Sequence, residues 1–395
     1  MSQRFSSRWR IGSTSLRIGA AGIALVLALC LSAPFLFAQA PEASSDSVQA
    51  GSPEALQSAQ SQGPAEKAAL DWILANSGPL KGDYSGGGFR VAYTVTPAEG
   101  WWDKAAGGSL LWRDAPPNSF HLRIFVMDSG DGRLQPDLRL HVTLIDANGN
   151  RQVAPIDFGW YPLLNAYGGN VPLAADGAYS VRIVIDSQLP APPEHSGERT
   201  RTTVVEFPAL AISQEAISHL ALASYVASTQ EAELLKPLNA ALSAAITGLW
   251  QRSASGLEKP AGDYFVGYAL DHSGAALSVG GAKLRLKNLV EFGGKDDVRL
   301  TLLVRDSRTG RPIPGLRPQA SLAGGGKLYG PGDLTFVWHP LLARYVGDTR
   351  VPGKGPYSLS VHFEAPGFRR WGRTSERFAL PADVTFDELS LKAAK

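Results

Sequence analysis

The chain is written twice at a fixed offset of 178 residues, and this repeat limits its architecture more than any other feature. Asp128 matches Asp306, Gly132 matches Gly310, Pro136 matches Pro314 and Leu138 matches Leu316. Trp160 matches Trp338, and Pro162-Leu163-Leu164 matches Pro340-Leu341-Leu342. Tyr167, Gly169, Gly177 and Tyr179-Ser180 match Tyr345, Gly347, Gly355 and Tyr357-Ser358. Upstream, Gly82-Asp83-Tyr84 recurs as Gly262-Asp263-Tyr264. The period is too long for a solenoid unit and has the length of a whole domain. The repeat therefore predicts two copies of one fold, each with its own core.

Within each copy the apolar residues alternate. Leu122, Ile124 and Val126 alternate with His121, Arg123 and Phe125; Leu138, Leu140, Val142 and Leu144 alternate with Arg139, His141 and Thr143. Tyr179, Val181, Ile183 and Ile185 form a third such stripe, and Val298, Leu300, Leu302 and Val304 and then Leu359, Val361 and Phe363 repeat the plan. Period two between Gly- and Asp-rich turns is the mark of antiparallel strands with one buried face. Helical periodicity is confined to Ala65–Asn76, Ile212–Ala227 and Glu231–Ser253, with Pro237 starting or kinking the last. The fold class expected is mainly β: two immunoglobulin-like antiparallel β-sandwiches in tandem, each preceded by a helical segment.

Arg4, Arg8, Arg10 and Arg17 precede an apolar run from Ile18 to Phe37, and the small-x-small triplet Ala38-Gln39-Ala40 follows. That order is a secretory signal over residues 1–40, with an uncleaved membrane anchor as the alternative. Residues 41–64 read as a disordered tether. They are followed by a first copy over 65–210, a helical linker over 211–256 and a second copy over 257–395. Cleavage would remove Cys30, the chain's one cysteine, and leave Met127 as the one methionine beyond the initiator. The exported domains would then be held by hydrophobic cores and not by disulfides. A net charge of +2 gives no basic surface for nucleic acid.

No phosphate loop, His-Glu-x-x-His, nucleophile elbow or catalytic cysteine occurs, so no catalytic residue is assigned and the chain is expected not to be an enzyme. Asp128, Asp131 and Asp146 lie in Gly-rich turns without the ligand spacing or closing glutamate of a calcium loop, so they read as turn residues. The seven histidines have no helical ligand spacing. Strand parity puts His121, His141 and His362 opposite the leucines, and hence outward.

The repeated loop is Phe158-Gly-Trp-Tyr-Pro-Leu-Leu-Asn-Ala-Tyr-Gly-Gly-Asn170 in one copy and Phe336-Val-Trp-His-Pro-Leu-Leu-Ala-Arg-Tyr-Val-Gly-Asp348 in the other. Two readings stand: Trp and Tyr packing under a loop, or a binding rim formed by Trp160, Tyr167, Trp338, Arg344 and Tyr345.

The run Pro-Leu-Leu-x-x-Tyr-x-Gly-(Asn/Asp), followed by Val-Pro, a Gly and Tyr-Ser, resembles the bacterial periplasmic iron-transport domain family. Val351-Pro-Gly-Lys-Gly-Pro-Tyr357 is similar to that family's Pro-Gly-x-Gly-x-Tyr turn. The resemblance implies an immunoglobulin-like fold, a periplasmic location and a bound copper or iron. It also implies partnership with an inner-membrane iron permease or other periplasmic uptake components; a homodimer is a further expectation. The sequence departs from the family's ligands: Leu163 and Leu341 stand at its methionine, Ala166 and Arg344 at its loop histidine, and Arg123 at the glutamate after its strand histidine. In the second copy Arg299 stands at the strand histidine itself. Remaining metal candidates are His121 with Met127 or His141, and His339 with His362. The rival expectation is a metal-free binding or scaffolding pair of sandwiches. Its tryptophans, Trp101, Trp102 and Trp112 among them, would form platforms for a glycan or a partner protein.

Overall fold

The computed structural model describes residues 61–105, 108–130, 132–136, 138–187, 201–220, 228–253, 255–272, 278–279, 282–283, 297–338 and 342–391. The expected signal segment and most of the tether lie outside the described residues, as does His339. Among the described residues no helix is long and apolar enough to cross a membrane.

The described residues open with helix α1 (Gln62–Asn76). Eleven strands follow: β1 (Lys81–Gly86), β2 (Phe89–Pro97), β3 (Trp101–Lys104), β4 (Leu110–Arg113), β5 (Ser119–Asp128), β6 (Arg139–Asp146), β7 (Arg151–Ala154), β8 (Asp157–Trp160), β9 (Ala166–Pro172), β10 (Gly177–Ser187) and β11 (Arg201–Ile212). Helices α2 (Gln214–Ser218) and α3 (Ser228–Arg252) lead to the second copy. It holds β12 (Ser255–Ala261), β13 (Tyr264–His272), β14 (Ser278–Val279), β15 (Ala282–Lys283), β16 (Asp297–Asp306) and β17 (Gln319–Gly324). It ends with β18 (Lys327–Asp333), β19 (Thr335–Trp338), β20 (Ala343–Arg350), β21 (Tyr357–Phe363), β22 (Arg369–Trp371) and β23 (Ala382–Leu389).

Each half is an antiparallel β-sandwich, and the strand orders correspond one to one. One sheet runs β1-β2-β5-β9-β8 in the first lobe and β12-β13-β16-β20-β19 in the second. The facing sheet runs β11-β10-β6-β7 and β23-β21-β17-β18. The correspondence extends to single hydrogen bonds. The Tyr167 hydroxyl donates to the Gln135 carbonyl at 2.9 Å and accepts from Leu138 N–H at 2.8 Å. The Tyr345 hydroxyl donates to the Ile313 carbonyl at 2.8 Å and accepts from Leu316 N–H at 3.0 Å. Gly132 and Gly310 both take positive φ, +77° and +72°, in the turn leaving the central strand, a conformation that favours glycine.

Between the sheets of the first lobe lie Leu122, Ile124 and Val126 of β5 against Val142, Leu144, Val181, Ile183 and Ile185. The second core is built in the same way from Leu300, Leu302, Val304, Leu322, Leu359 and Val361. The cores are not separate, however. Trp160, from β8, is buried among the second lobe's core residues, and Trp371, from β22, joins Leu70, Phe125, Met127 and Tyr161 of the first. Strand β22 lies in the first lobe's sheet, parallel to β8 and antiparallel to β3, which extends that sheet to eight strands ending at β4.

Two expectations are corrected. Ile212 ends a strand, paired with Gly177, and does not start a helix. The helix begins only after Ser213, whose side chain accepts from Ala216 N–H at 3.0 Å. The segment expected as a helical linker is also packed. On α3, Leu235, Leu238, Leu242, Ile246 and Leu249 bury against Ala65 and Ala69 of α1 and against Ala269 and Leu303 of the second lobe. Pro237 sits inside that helix.

Candidate functional site

Strand β5 is central in its sheet and buried on both faces from Ser119 to Met127. This corrects the outward placement of His121. Alternation holds, but the outer face is roofed by Tyr161, Trp371 and Leu70, so residues opposite the leucines are also sealed. His121 has no exposed surface and Arg123 is 6% exposed. The pattern of one strand reports its period and not what covers its second face.

His121 lies level with Thr96 of β2 and Asn170 of β9. The Asn170 side chain is oriented by two backbone groups: its amide donates to the Glu99 carbonyl at 2.7 Å, and its oxygen accepts from Glu99 N–H at 3.0 Å. That oxygen lies 2.9 Å from His121 Nδ1. An acceptor at this distance requires Nδ1 to carry a proton, which makes Nε2 the acceptor of the neutral ring. The Tyr161 hydroxyl, 2.9 Å from Nε2, therefore donates to it. Burial pushes the tyrosine well above its usual pKa, so this donor stays protonated.

Burial pulls the His121 pKa down to about 4, with the Arg123 cation adding to the effect and Glu99 opposing it. Arg123 donates from Nη2 to Glu99 Oε1, and its guanidinium lies 4.8 Å over the Tyr161 ring. Thr96 Oγ1 donates to the same Glu99 oxygen at 3.2 Å. Burial by itself would raise the Glu99 pKa, but Arg123 holds it below the usual carboxylate range. Gly168, beside Arg123 on β9, leaves room for the Tyr161 hydroxyl; a Cβ there would overlap it.

The second lobe fills the same crossing differently. Arg299 stands at the His121 position and Asp348 at the Asn170 position, level with each other on β16 and β20. Arg299 donates to Asp348 twice, at 2.8 and 3.1 Å. Asp348 is almost sealed, with 5% of its side chain exposed.

These residues do not fit a copper or iron ion. Both His121 nitrogens are engaged, and the Nε2 lone pair a metal would take is held by Tyr161. Met127 is six residues further along β5, roughly 20 Å away at the rise of an extended strand. His141 lies on the facing sheet, largely exposed, with Asp186 at 3.5 Å. His362 is half-exposed on β21 with Asp383 at 2.8 Å and Glu364 at 3.7 Å. The expected metal set is thus spread over separate sheets. Among the described residues no three His, Cys, Asp or Glu groups gather to hold a metal.

The expected binding rim is corrected as well. Trp160, Tyr167, Arg344 and Tyr345 are all buried. Trp160 stacks on Phe368 at 5.7 Å and lies under the Arg311 guanidinium at 4.1 Å, and the two tyrosines anchor the loops after the central strands. Trp338 closes β19, paired with Ala343. Partly buried aromatics cluster instead on the β3–β4 hairpin. There Trp102 meets Trp112 edge-on at 5.2 Å, Arg373 lies 4.4 Å over Trp112, and Arg369 lies 5.6 Å over Trp101.

Sequence reasoning missed Glu99, Tyr161 and Asn170. The repeat held one usable signal: at the same offset, His121 and Asn170 change together to Arg299 and Asp348, as touching partners do.

No family model matches the sequence, and no curated protein matches it. Among solved structures, the chain is similar to a copper-bound variant of FetP from uropathogenic Escherichia coli strain F11. The identity is 18% and the TM-score 0.25, over 34% of this chain and 99% of that one. A DUF4426 family protein from Pseudomonas aeruginosa PAO1 matches at 10% identity and TM-score 0.23, over 34% of this chain and 98% of that one. A conserved domain protein from Bacillus anthracis matches at 9% identity and TM-score 0.21, over 79% of this chain and 91% of that one. At these TM-scores the likenesses carry no argument about activity.

Proposed function

We propose that the chain is a metal-independent, non-enzymatic binding or scaffolding protein of the bacterial periplasm. The observation that carries this reading is the state of His121. It is sealed in the first lobe, with Asn170 on one nitrogen and Tyr161 on the other. A histidine so placed specifies a core and leaves no lone pair for an ion. The interlocked lobes make a rigid support, and the β3–β4 hairpin at the open end of the eight-stranded sheet is the surface best suited to recognition. Its partly buried Trp102 and Trp112, flanked by Arg373, suit the apolar faces and hydroxyls of a glycan.

The test is metal analysis of chelator-treated, dialysed protein after exposure to Cu(II) and Fe(II), beside retention on immobilised polysaccharides. The expected result is no stoichiometric metal, together with retention that Trp102→Ala and Trp112→Ala abolish. One equivalent of copper or iron per chain would overturn the reading. It would restore a metal-carrying component of iron uptake, acting beside an inner-membrane permease.

A further inference from the structure

We infer that the cleft between the two lobes is a binding site for a small carboxylate, held on the guanidinium of Arg311. The site shares no residue with the β3–β4 hairpin, so it goes beyond the function proposed above and does not depend on it.

The duplication builds this cleft. Arg133 and Arg311, Pro136 and Pro314, and Phe158 and Phe336 line it, and each pair is separated by the repeat's offset of 178 residues. A fourth pair, Asn165 and Ala343, is polar on one side and small on the other. Helix α1 adds Glu66, whose carboxylate accepts from the Leu134 N–H. Two guanidinia against one carboxylate leave a net positive charge. The space is about 60 Å³. One water needs roughly 10–15 Å³, so the cleft admits a ligand of about four heavy atoms and is too small for a sugar or an aromatic acid.

Arg311 is the group that calls for an anion. It is 3% exposed, yet every acceptor it reaches is neutral. Its Nε donates to Thr309 Oγ1 at 3.3 Å, Nη1 to Asn165 Oδ1 at 3.3 Å and Nη2 to the Tyr161 carbonyl at 2.9 Å. A guanidinium has five N–H donors; five less these three leaves two with no acceptor in the protein. The Trp160 ring, 4.1 Å away, fixes the plane of the group. Asp306, Glu231 and Glu66 act on Arg311 only through their charge. Asp306 is paired with Arg377 at 2.9 Å and Glu231 with Arg308 at 3.5 Å. Arg299 and Arg305, by contrast, each hold a carboxylate directly, at 2.8 and 2.6 Å.

A buried cation without a paired anion is costly. The cost shows in the Arg311 pKa, which burial pulls down to about 10 against the opposing charge of Asp306. A carboxylate in the cleft offsets that cost through charge-assisted bonds to the two remaining N–H groups. Phe158 and Phe336 supply an apolar wall for its methyl group. Thr309 belongs to the second lobe, and Tyr161 and Asn165 to the first. A ligand on Arg311 therefore strengthens the contact between lobes.

The experiment uses the full chain with sodium acetate and sodium benzoate as probes, the ionic strength held constant with sodium chloride. Thermal unfolding and saturation-transfer NMR are followed in the parent, Arg311→Gln and Ala343→Leu proteins. Acetate should raise the parent's Tm saturably, because a ligand bound only by the folded state stabilises it, and its methyl protons should show saturation transfer. Benzoate should do neither. Both variants should lose the acetate response. Arg311→Gln removes the cation, and Ala343→Leu fills the space while leaving the three guanidinium bonds in place.

No saturable response to acetate in the parent overturns the inference, as does an equal response to benzoate or in Arg311→Gln. If Arg311→Gln does not fold, Ala343→Leu decides, and a full acetate response there overturns the inference. None of these outcomes bears on the glycan reading, which stands or falls with Trp102→Ala and Trp112→Ala.

Discussion

The indole of Trp371 lies 4.3 Å from the imidazole of His121, centroid to centroid, although the two residues belong to different lobes. The same indole stacks on Tyr161 at 6.1 Å with the planes 11° apart. Trp160 makes the reciprocal excursion, packing at 4.9 Å against Phe378 in the second core. Each lobe therefore finishes the other, and neither can open without exposing a buried tryptophan.

Wild-type protein should consequently unfold in one transition, with tryptophan fluorescence and far-ultraviolet circular dichroism coinciding in urea. Trp371→Ala and Trp160→Ala should each cost about 3–5 kcal/mol, the range for deleting a buried large aromatic. Two resolved transitions in the parent protein would show that the lobes are energetically independent.

Acidification should destabilise the protein before its carboxylates titrate. His121 is fully buried, with a pKa lowered from 6.5 to about 4. Below pH 6.5 the unfolded chain therefore binds a proton that the folded chain refuses. Stability from this group is present above the unfolded value, is lost as pH falls toward about 4, and changes no further below that. The full effect is on the order of 3 kcal/mol. Urea midpoints at pH 7.5, 5.5 and 4.5 should fall in sequence, and His121→Gln should flatten this trend.

Two glycines with different surroundings should respond unequally to alanine. At Gly168 a Cβ would overlap the Tyr161 hydroxyl and crowd His121, whereas at Gly177 it would meet nothing within 4 Å. Gly168→Ala should cost about 1–3 kcal/mol, as overpacking does. Gly177→Ala should change stability little. Equal midpoints for the two variants would contradict the packing around Tyr161.

Tyr167 and Tyr345 make matching pairs of bonds, so losing either hydroxyl should have the same consequence. Tyr167→Phe strands the Leu138 N–H and the Gln135 carbonyl; Tyr345→Phe strands the Leu316 N–H and the Ile313 carbonyl. Each should cost about 1–3 kcal/mol, and the double variant should lose the sum, since the tyrosines sit in different core clusters and share no hydrogen-bond partner. Denaturation curves of the three variants test both statements.

Much of the fold was legible because it is local or repeated. Alternation in Leu122, Ile124 and Val126 marks a strand wherever it occurs, and the offset between Tyr167 and Tyr345 carries one loop's geometry into the other. The helix before the first lobe was placed within three residues of its start. The strand ending at Ile212 was misread because its short-range pattern also suits a helix, and pairing with Gly177 decided the matter.

The candidate site was less legible. His121 and Arg123 carry no mark distinguishing a buried outer face from a wet one, because the cover comes from Trp371, some 250 residues away in the chain. The amino-acid sequence alone determined two β-sandwiches of one plan, their central strands and their turn glycines, because these depend on period two and on φ. Only the tertiary structure decided that the lobes exchange tryptophans, that Asn170 and Tyr161 occupy both nitrogens of His121, and that Arg123 faces Glu99. Those facts depend on which surfaces meet, and burial and charge pairing exist only once they have met.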